Sequence, residues 1–201
     1  MQDSARPSFY QQLRELQPFQ QQIWATALAQ RAAPNYLLFA EVTGSEHGPA
    51  FKQLLALAWE GVISPQSRIN WPVQQEKLPA LLPDPEATHL YGVYPALDAA
   101  TGLELVLDEA VMPQTETAVD ASKLSRATVR HYLEQLCPEG MTLEEAKQWI
   151  RHHPLMEDEQ DFQDELLHQI QQLERPFSPL VREIKNLAMN QGVSNLGISL
   201  D

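Results

Sequence analysis

The segment LYGVYPALDA, residues 90–99, contains side chains whose chemistry suits the binding of a ligand or a partner. Tyr91 and Tyr94 supply two phenol rings with their hydroxyls, and Asp98 follows with a carboxylate. Aromatic faces beside a few polar groups are typical of binding pockets. We therefore select these three residues, together with Asn195 near the carboxyl end, as the candidate binding residues. The alternative is structural, because two tyrosine rings can also anchor a corner of the fold in its core, with their hydroxyls satisfied.

The same segment has the features of a helix start. Pro95 suits the first helical turn, and Gly92 permits a turn before it. Asp98 is then expected close to the positive amino-terminal end of the helix. These roles account for the glycine, the proline and the acid, but they leave the two tyrosines unexplained.

Motifs for catalysis or metal binding are weak or missing elsewhere in the chain. The glycines are too dispersed for a phosphate-binding loop, and the single Cys137 at a predicted helix end indicates packing. Glu86 with His89 and Glu165 with His168 have the spacing of metal ligands in helical bundles. The second pair points away from the apolar stripe of its helix, and the first pair falls in a predicted loop. We expect no catalytic residue, no metal and no cofactor.

Three basic residues form a stripe on one predicted helix of an otherwise acidic chain. Lys123, Arg126 and Arg130 project from one side and could bind an anionic ligand or another subunit. We expect them instead to pair with neighbouring acidic faces, as exposed helical charges commonly do.

The composition narrows the class of protein and its partners. The chain has 201 residues, 43% of them hydrophobic, and its formal charge is −13. This charge would repel a phosphate backbone or an anionic leaflet, so we expect no nucleic acid and no membrane among the partners. We see no signal peptide and no membrane span, and one cysteine fits a reducing compartment. We therefore expect a soluble, cytoplasmic protein.

Prolines divide the sequence into amphipathic segments that predict an all-α fold. Helices are predicted over 18–32 and 35–42, separated at Pro34, and the central helix over 95–112. The last helix is predicted from 178 to a glycine cap at Gly192.

Further helices are predicted over 70–82, 115–136 and 154–174, and Thr142 with Glu145 has the form of a capping box. Because no Pro/Gly/Ser-rich linker divides the chain, we predict a single domain over residues 1–201, a bundle of about eight or nine helices with no significant sheet. Residues 1–7 are predicted to be flexible, and residues 193–201 to form a carboxyl-terminal tail.

Several strings resemble a known family in order and spacing. The most specific is Tyr-Gly-Val-Tyr-Pro-Ala-Leu-Asp-Ala at 91–99, which is similar to the signature of the YjaG-like family, a bacterial domain of unknown function. The other similar strings are Pro34-Asn35-Tyr36 with Phe39 and Thr43-Gly44, Leu57-Ala-Trp59-Glu60, Asn70 with Glu76-Lys77, and Ser194-Asn195-Leu196-Gly197-Ile198. The resemblance implies an all-helical cytoplasmic protein of proteobacterial type, and it supplies no activity, cofactor or catalytic residue.

The function predicted from the sequence is a non-enzymatic interaction or regulatory module. Its surface would combine the corner at 91–98 with the tail at 194–198, because binding surfaces often lie at junctions between elements. The alternative is a small-molecule-binding or metal-dependent enzyme with a pocket near Tyr91, Tyr94 and Asp98, extended by Glu41, Glu60 or Asn195. A protein partner or a homo-oligomer is compatible with the first interpretation.

Overall fold

The protein is described by a computed structural model that covers residues 7–64 and 66–200, and these residues form an all-α fold as predicted. The α-helices of this part of the chain are α1 (Phe9–Arg14), α2 (Pro18–Thr43), α3 (Gly48–Ile63), α4 (Trp71–Gln75), α5 (Val93–Val111), α6 (Thr117–Leu136), α7 (Leu143–Arg151), α8 (Pro154–Gln171) and α9 (Leu180–Met189). Short 3₁₀ helices lie at Leu78–Leu81, Pro85–Ala87 and Asn190–Gly192. The prediction of a flexible segment over 1–7 lies outside the described residues, apart from Pro7.

Helix α2 is the centre of the bundle, and it corrects the prediction of two helices separated at Pro34. The helix continues for 26 residues with Pro34 buried inside it and ends at Gly44, whose left-handed φ is 67°. A proline inside a helix removes one hydrogen bond at a cost of about 3 kcal/mol. Helices α3, α5, α6, α8 and α9 pack against α2, whose residues are buried both before and after the proline. Burial of these faces outweighs the local cost, because tertiary packing overrides helix propensity.

The segment predicted as one helix over 70–82 forms two short pieces, α4 and the 3₁₀ helix at 78–81. The Asn70 side chain caps α4 by accepting a hydrogen bond from the Val73 amide at 3.4 Å. Leu78 and Leu81 are buried, and the Tyr36 hydroxyl donates to the Leu81 carbonyl at 2.7 Å. The chain is therefore fixed here by side-chain burial rather than by a continuous helix.

Helix α5 begins at Val93, two positions before the predicted start at Pro95. Gly92 lies at the turn before it with a φ of −54°, which any residue adopts, so this turn does not depend on the conformational freedom of a glycine. The first turn of α5 contains no acid, and Asp98 lies in the second turn, where the helix dipole acts only weakly.

The carboxyl-terminal third contains α7, α8, α9 and a compact tail. The capping box of α7 is confirmed, with the Thr142 hydroxyl accepting from the Glu145 amide at 3.3 Å. Helix α9 ends at Asn190 rather than at the predicted Gly192, since Asn190 itself adopts the left-handed conformation with a φ of 42°. After it, the chain folds back in a tight hairpin in which Val193 and Ser199 form an isolated antiparallel bridge.

Two clusters of buried apolar side chains stabilise the bundle. The larger contains residues from Leu13 in α1 to Ala188 in α9 and includes Trp24, Phe51 and Trp59, all almost fully buried. The smaller joins Val129 and Leu133 of α6 to Leu196 of the tail, with side chains of α7 and α8 packed against them. Among the described helices, none is long and apolar enough to cross a bilayer.

Candidate functional site

The start of α5 and the exposed side of α6 enclose an open groove of about 530 Å³. Its lining consists of Tyr91, Tyr94, Asp98, His131, Glu134 and Gln135. We call it the tyrosine groove. It brings together three of the four candidate binding residues, because the corner before α5 packs against α6.

Two tyrosine rings, those of Tyr91 and Tyr94, line this groove, and the ring of Tyr132 packs beside Tyr91. The ring centroid of Tyr91 is 5.8 Å from that of Tyr94 and 6.1 Å from that of Tyr132 in α6. Tyr94 is 52% exposed, whereas Tyr91 and Tyr132 are half-buried. Within the described part of the chain, neither Tyr91 nor Tyr94 has a hydrogen-bond partner for its hydroxyl.

The carboxylates give the groove its electrostatic character. The Asp98 carboxylate accepts a hydrogen bond from the Thr128 hydroxyl at 2.8 Å. Partial burial raises the pKa of Asp98, while this hydrogen bond and the neighbouring His131 oppose the rise. The pKa of Tyr91 is also raised, first by burial and then by the negative charges of Asp98 and Glu134. The groove therefore stabilises the neutral phenol of Tyr91 and presents negative charge beside it.

Asn195 does not line the tyrosine groove. It is 2% exposed and donates through Nδ2 to the Ser125 hydroxyl at 3.2 Å. Its Oδ1 accepts from the Asn35 side chain at 2.9 Å. Glu41 and Glu60 are exposed on α2 and α3 and are likewise outside the groove. Of the polar groups named for the alternative enzyme pocket, only Tyr91, Tyr94 and Asp98 therefore converge.

Asn195 belongs to a group of interior polar side chains that the sequence analysis missed, here called the buried polar cluster. Its members are Arg31, Asn35, Ser122, Ser125, Glu159, Gln163 and Asn195. Glu159, which is fully buried, accepts from Ser125 Oγ at 2.6 Å, from Gln163 Nε2 at 2.6 Å and from Arg31 Nε at 3.3 Å. Burial raises the pKa of Glu159, and these three donors oppose the rise.

Helical spacing was the signal that could have revealed the buried polar cluster. Arg31 lies four residues after Ala27, on the apolar side of α2, and is 3% exposed. Glu159 lies between Leu155 and Phe162 in the apolar stripe of α8. A charged residue at a core position must be paired, so two such positions of opposite charge predict an internal ion pair.

The pairing of a serine with a glutamate in this cluster does not form an open active site. The cavity beside Ser125 and Asp98 has a volume of only about 10 Å³. That is close to the minimum needed for one water molecule, so no substrate fits there. The buried polar cluster instead links α2, α6, α8 and the tail through hydrogen bonds.

The basic stripe on α6 departs from its predicted pairing. Arg130 pairs with Glu134 at 3.7 Å, an exposed contact. Among the described residues, Lys123 and Arg126 have no carboxylate within ion-pairing distance. The prediction of an acidic partner was therefore wrong for Arg126, whereas Lys123 acts over a longer distance on Glu116, whose pKa is lowered first by its hydrogen bond with Arg14 and to a smaller extent by Lys123. The Arg126 guanidinium instead stacks over the Phe9 ring.

The two Glu-x-x-His pairs occupy separate, exposed places. Glu165 accepts from Gln169, and the His168 ring contacts Gln172, both on the outer face of α8. Glu86 lies in the 3₁₀ helix at 85–87 and His89 in the loop after it. The described residues contain no group of three or more acidic, histidine or cysteine side chains that could hold a metal ion.

The fold and the groove together define an all-α helical bundle with an aromatic and acidic groove at a helix corner. The chain belongs to the family described as "Protein of unknown function (DUF416)", whose model matches residues 8–199.

Relatives of similar length support this assignment. Uncharacterized protein YjaG of Escherichia coli is 30% identical over 187 residues, covering 92% of this chain and 93% of the relative. An uncharacterized protein of Haemophilus influenzae is 30% identical over 195 residues, covering 96% and 97%. The crystal structure of a DUF416 family protein from Shewanella baltica matches with a TM-score of 0.89 and 33% identity, covering 97% of this chain and all of that one. The resemblance inferred from the sequence strings is thus confirmed.

Proposed function

We propose that the protein is a non-enzymatic interaction module that binds a basic segment of a partner protein in the tyrosine groove. The observation that carries this proposal is the meeting of two tyrosine rings with the carboxylates of Asp98 and Glu134. The lining of the groove contains no lysine or arginine. It therefore presents aromatic faces beside two carboxylates, and the cation next to them is Arg130, which lies outside the lining and makes an exposed contact with Glu134 at 3.7 Å.

A lysine or arginine side chain matches this chemistry. A cation over a tyrosine face is attracted by the ring quadrupole, and its aliphatic stem packs along the apolar ring surface. Tyr94 is the more exposed of the two rings and is the ring that an incoming side chain would cover first. Leu90 and Leu136, exposed next to the lining residues in sequence, would add apolar contact area for the flanking residues of the segment.

The charge of the whole chain supports the same kind of partner. A formal charge of −13 attracts basic proteins over long distances and accelerates their encounter. A reducing cytoplasm, indicated by the single cysteine, is the compartment that we propose for this encounter. A second copy of this acidic chain is a less favourable occupant, because two equal negative charges repel.

A binding titration tests the proposal. The probe is a nine-residue peptide with blocked ends and two lysines among alanine and leucine, titrated by protein-detected NMR and calorimetry at physiological ionic strength. We expect saturable binding with signal changes at residues 91–98 and 131–135. Replacement of Tyr94 by alanine should weaken binding by about two- to fivefold, the range for a partly exposed cation–π contact.

Two controls decide the outcome. Met112→Ala removes a similarly exposed side chain, 64% exposed, outside the groove and should leave the affinity unchanged. The same peptide with norleucine in place of lysine should not bind. Equal affinity in the wild-type and the Tyr94→Ala proteins, or signal changes spread over the acidic surface as a whole, would refute the proposal. Concentration-dependent light scattering in the absence of peptide would point to self-association instead.

A further inference from the structure

A second groove, of about 460 Å³, lies on the other side of the exposed face of α6. Its lining consists of Tyr10, Lys123, Arg126, Ala127, Arg130 and Met156, contributed by α1, α6 and α8. We call it the basic groove. We infer that it binds a small molecule that carries a phosphate group, and this inference is independent of the proposed function.

Arg126 is held in place without a carboxylate. Its Nε donates to Gln163 Oε1 at 3.0 Å, and its guanidinium carbon lies 4.7 Å from the Phe9 ring centroid. Gln163 is itself fully buried and accepts from the Ser122 hydroxyl at 2.6 Å. Two neutral groups, the Gln163 amide and the Phe9 ring, therefore hold the guanidinium plane in place. Its remaining N–H groups are left for an anion with two acceptor oxygens, the geometry that arginine recognises best.

The other two cations keep most of their charge available. Lys123 Nζ lies 5.8 Å from the Tyr10 ring centroid, and within the described chain it has no carboxylate at ion-pairing distance, although its charge acts from farther away on Glu116, which forms its ion pair with Arg14. Arg130 has one exposed contact with Glu134 at 3.7 Å, a kind of pair that contributes little. No acidic residue lines the basic groove. Three cations in one groove match an anion with more than one negative charge.

The walls of the basic groove indicate an organic group attached to the phosphate. Tyr10, Ala127 and Met156 add apolar surface beside the cations, which suits an aromatic or aliphatic group attached to the phosphate. A nucleic acid is a poor match, because the charge of −13 on the chain repels a long polyanion.

The test uses inorganic phosphate, pyrophosphate and phenyl phosphate as probes, with sodium sulfate at equal ionic strength as the reference anion. Binding to the full chain is followed by calorimetry and by NMR signals of residues 123–130. We expect saturable binding of all three phosphates, with phenyl phosphate tighter than inorganic phosphate because the apolar walls contribute. Replacement R126Q should weaken phenyl phosphate binding by about tenfold or more, as expected for a lost charge-assisted contact.

Matched variants separate a built site from general attraction. R182Q removes the same charge from an exposed position on α9 and should leave the affinity unchanged. R126K keeps the positive charge but loses the paired N–H groups of the guanidinium. It should therefore bind phenyl phosphate more tightly than R126Q and less tightly than the wild type. If R126Q fails to fold, K123Q, at an exposed position, tests the same groove.

Equal weakening by R126Q and R182Q, or equal binding of sulfate and phosphates, would overturn the inference. Binding of a phosphopeptide without binding of free phosphates would also overturn it, in favour of a protein partner. The Tyr94→Ala protein should bind phenyl phosphate normally, so failure here and failure of the basic-segment proposal are distinguishable.

Discussion

Two candidate residues, Asp98 and Asn195, both hydrogen-bond to hydroxyls of α6, yet they have different roles. Asp98 bonds to Thr128 at the edge of the tyrosine groove, whereas Asn195 bonds to Ser125 inside the bundle. Residue type alone did not separate them, because asparagine serves equally well as a ligand contact and as an interior linker. The burial of the tail, which depends on contacts distant in sequence, decides between these two roles.

Asn195→Ala should therefore lower stability rather than ligand binding. The substitution leaves the buried side chain of Asn35 without its acceptor and removes a donor to Ser125. A loss of about 1–3 kcal/mol in the free energy of unfolding is expected for a buried polar group left unsatisfied. Urea denaturation measures it, and Asn186→Ala, the same change at an exposed helix position, should cost less than about 0.5 kcal/mol. Equal costs for the two variants would show that the interior hydrogen bonds contribute nothing.

Asp98 should make stability depend on pH in a defined direction. Its pKa in the folded protein is raised above the ordinary value of 3.8, mainly by burial. The protonated form is therefore favoured by folding, so this contribution is present below the ordinary pKa and is lost as the pH rises through the folded pKa. The Asp98→Asn protein lacks this contribution. The melting temperature of the wild type relative to that of Asp98→Asn should fall as the pH rises from about 4 to about 7. A constant or rising difference would contradict the assigned direction.

Among the helices, those with a clear apolar period could be predicted from the sequence, whereas α2 and the segment after α3 could not. Helices α6 and α8 appear close to their predicted bounds because each presents one continuous apolar face. Helix α2 continues through Pro34 because other helices pack around it, and no local sequence pattern shows that packing. The corner at 91–98 could be predicted from the sequence as a candidate binding region. The sequence also shows the basic stripe on α6 that lines the basic groove, but not the apolar walls of that groove, because Tyr10 and Met156 reach it from distant elements.

Two helical glycines test the packing of these elements. A Cβ added at Gly102 in α5 would meet ordinary contacts, the nearest being Leu124 Cδ2 at 3.8 Å. A Cβ at Gly61 in α3 would lie only 2.5 Å from Trp71 Cζ2. Gly102→Ala should therefore raise the free energy of unfolding by about 0.5–1 kcal/mol through helix propensity. Gly61→Ala should lose this gain, because the Trp71 ring that packs α4 against α3 has to move. Thermal and urea unfolding of both variants check the prediction. Equal stabilisation by the two substitutions would show that the Trp71 ring can move away without a cost in stability.

At the scale of the whole molecule, an acidic chain presents an acidic groove and a basic groove on the two sides of α6. The exposed pair of Arg130 and Glu134 lies between them, with Arg130 lining one groove and Glu134 the other. The charge of −13 acts on the two grooves in opposite senses. It adds to the attraction of a cation for the tyrosine groove and subtracts from the attraction of an anion for the basic groove.

Salt should therefore weaken the two binding events unequally. Screening reduces both the local attraction and the field of the whole chain, whose range is about 10 Å at 0.1 M salt. For the two-lysine peptide both contributions are attractive, so added salt weakens binding through both. For phenyl phosphate, which carries a charge of about −2 above its second pKa, screening also removes the repulsion by the chain. Calorimetric titrations between about 0.05 and 0.3 M sodium chloride should give a steeper loss of affinity for the peptide than for phenyl phosphate. If the affinity for phenyl phosphate fell with salt as steeply as the affinity for the peptide, or more steeply, each ligand would be responding only to the charges nearest to it.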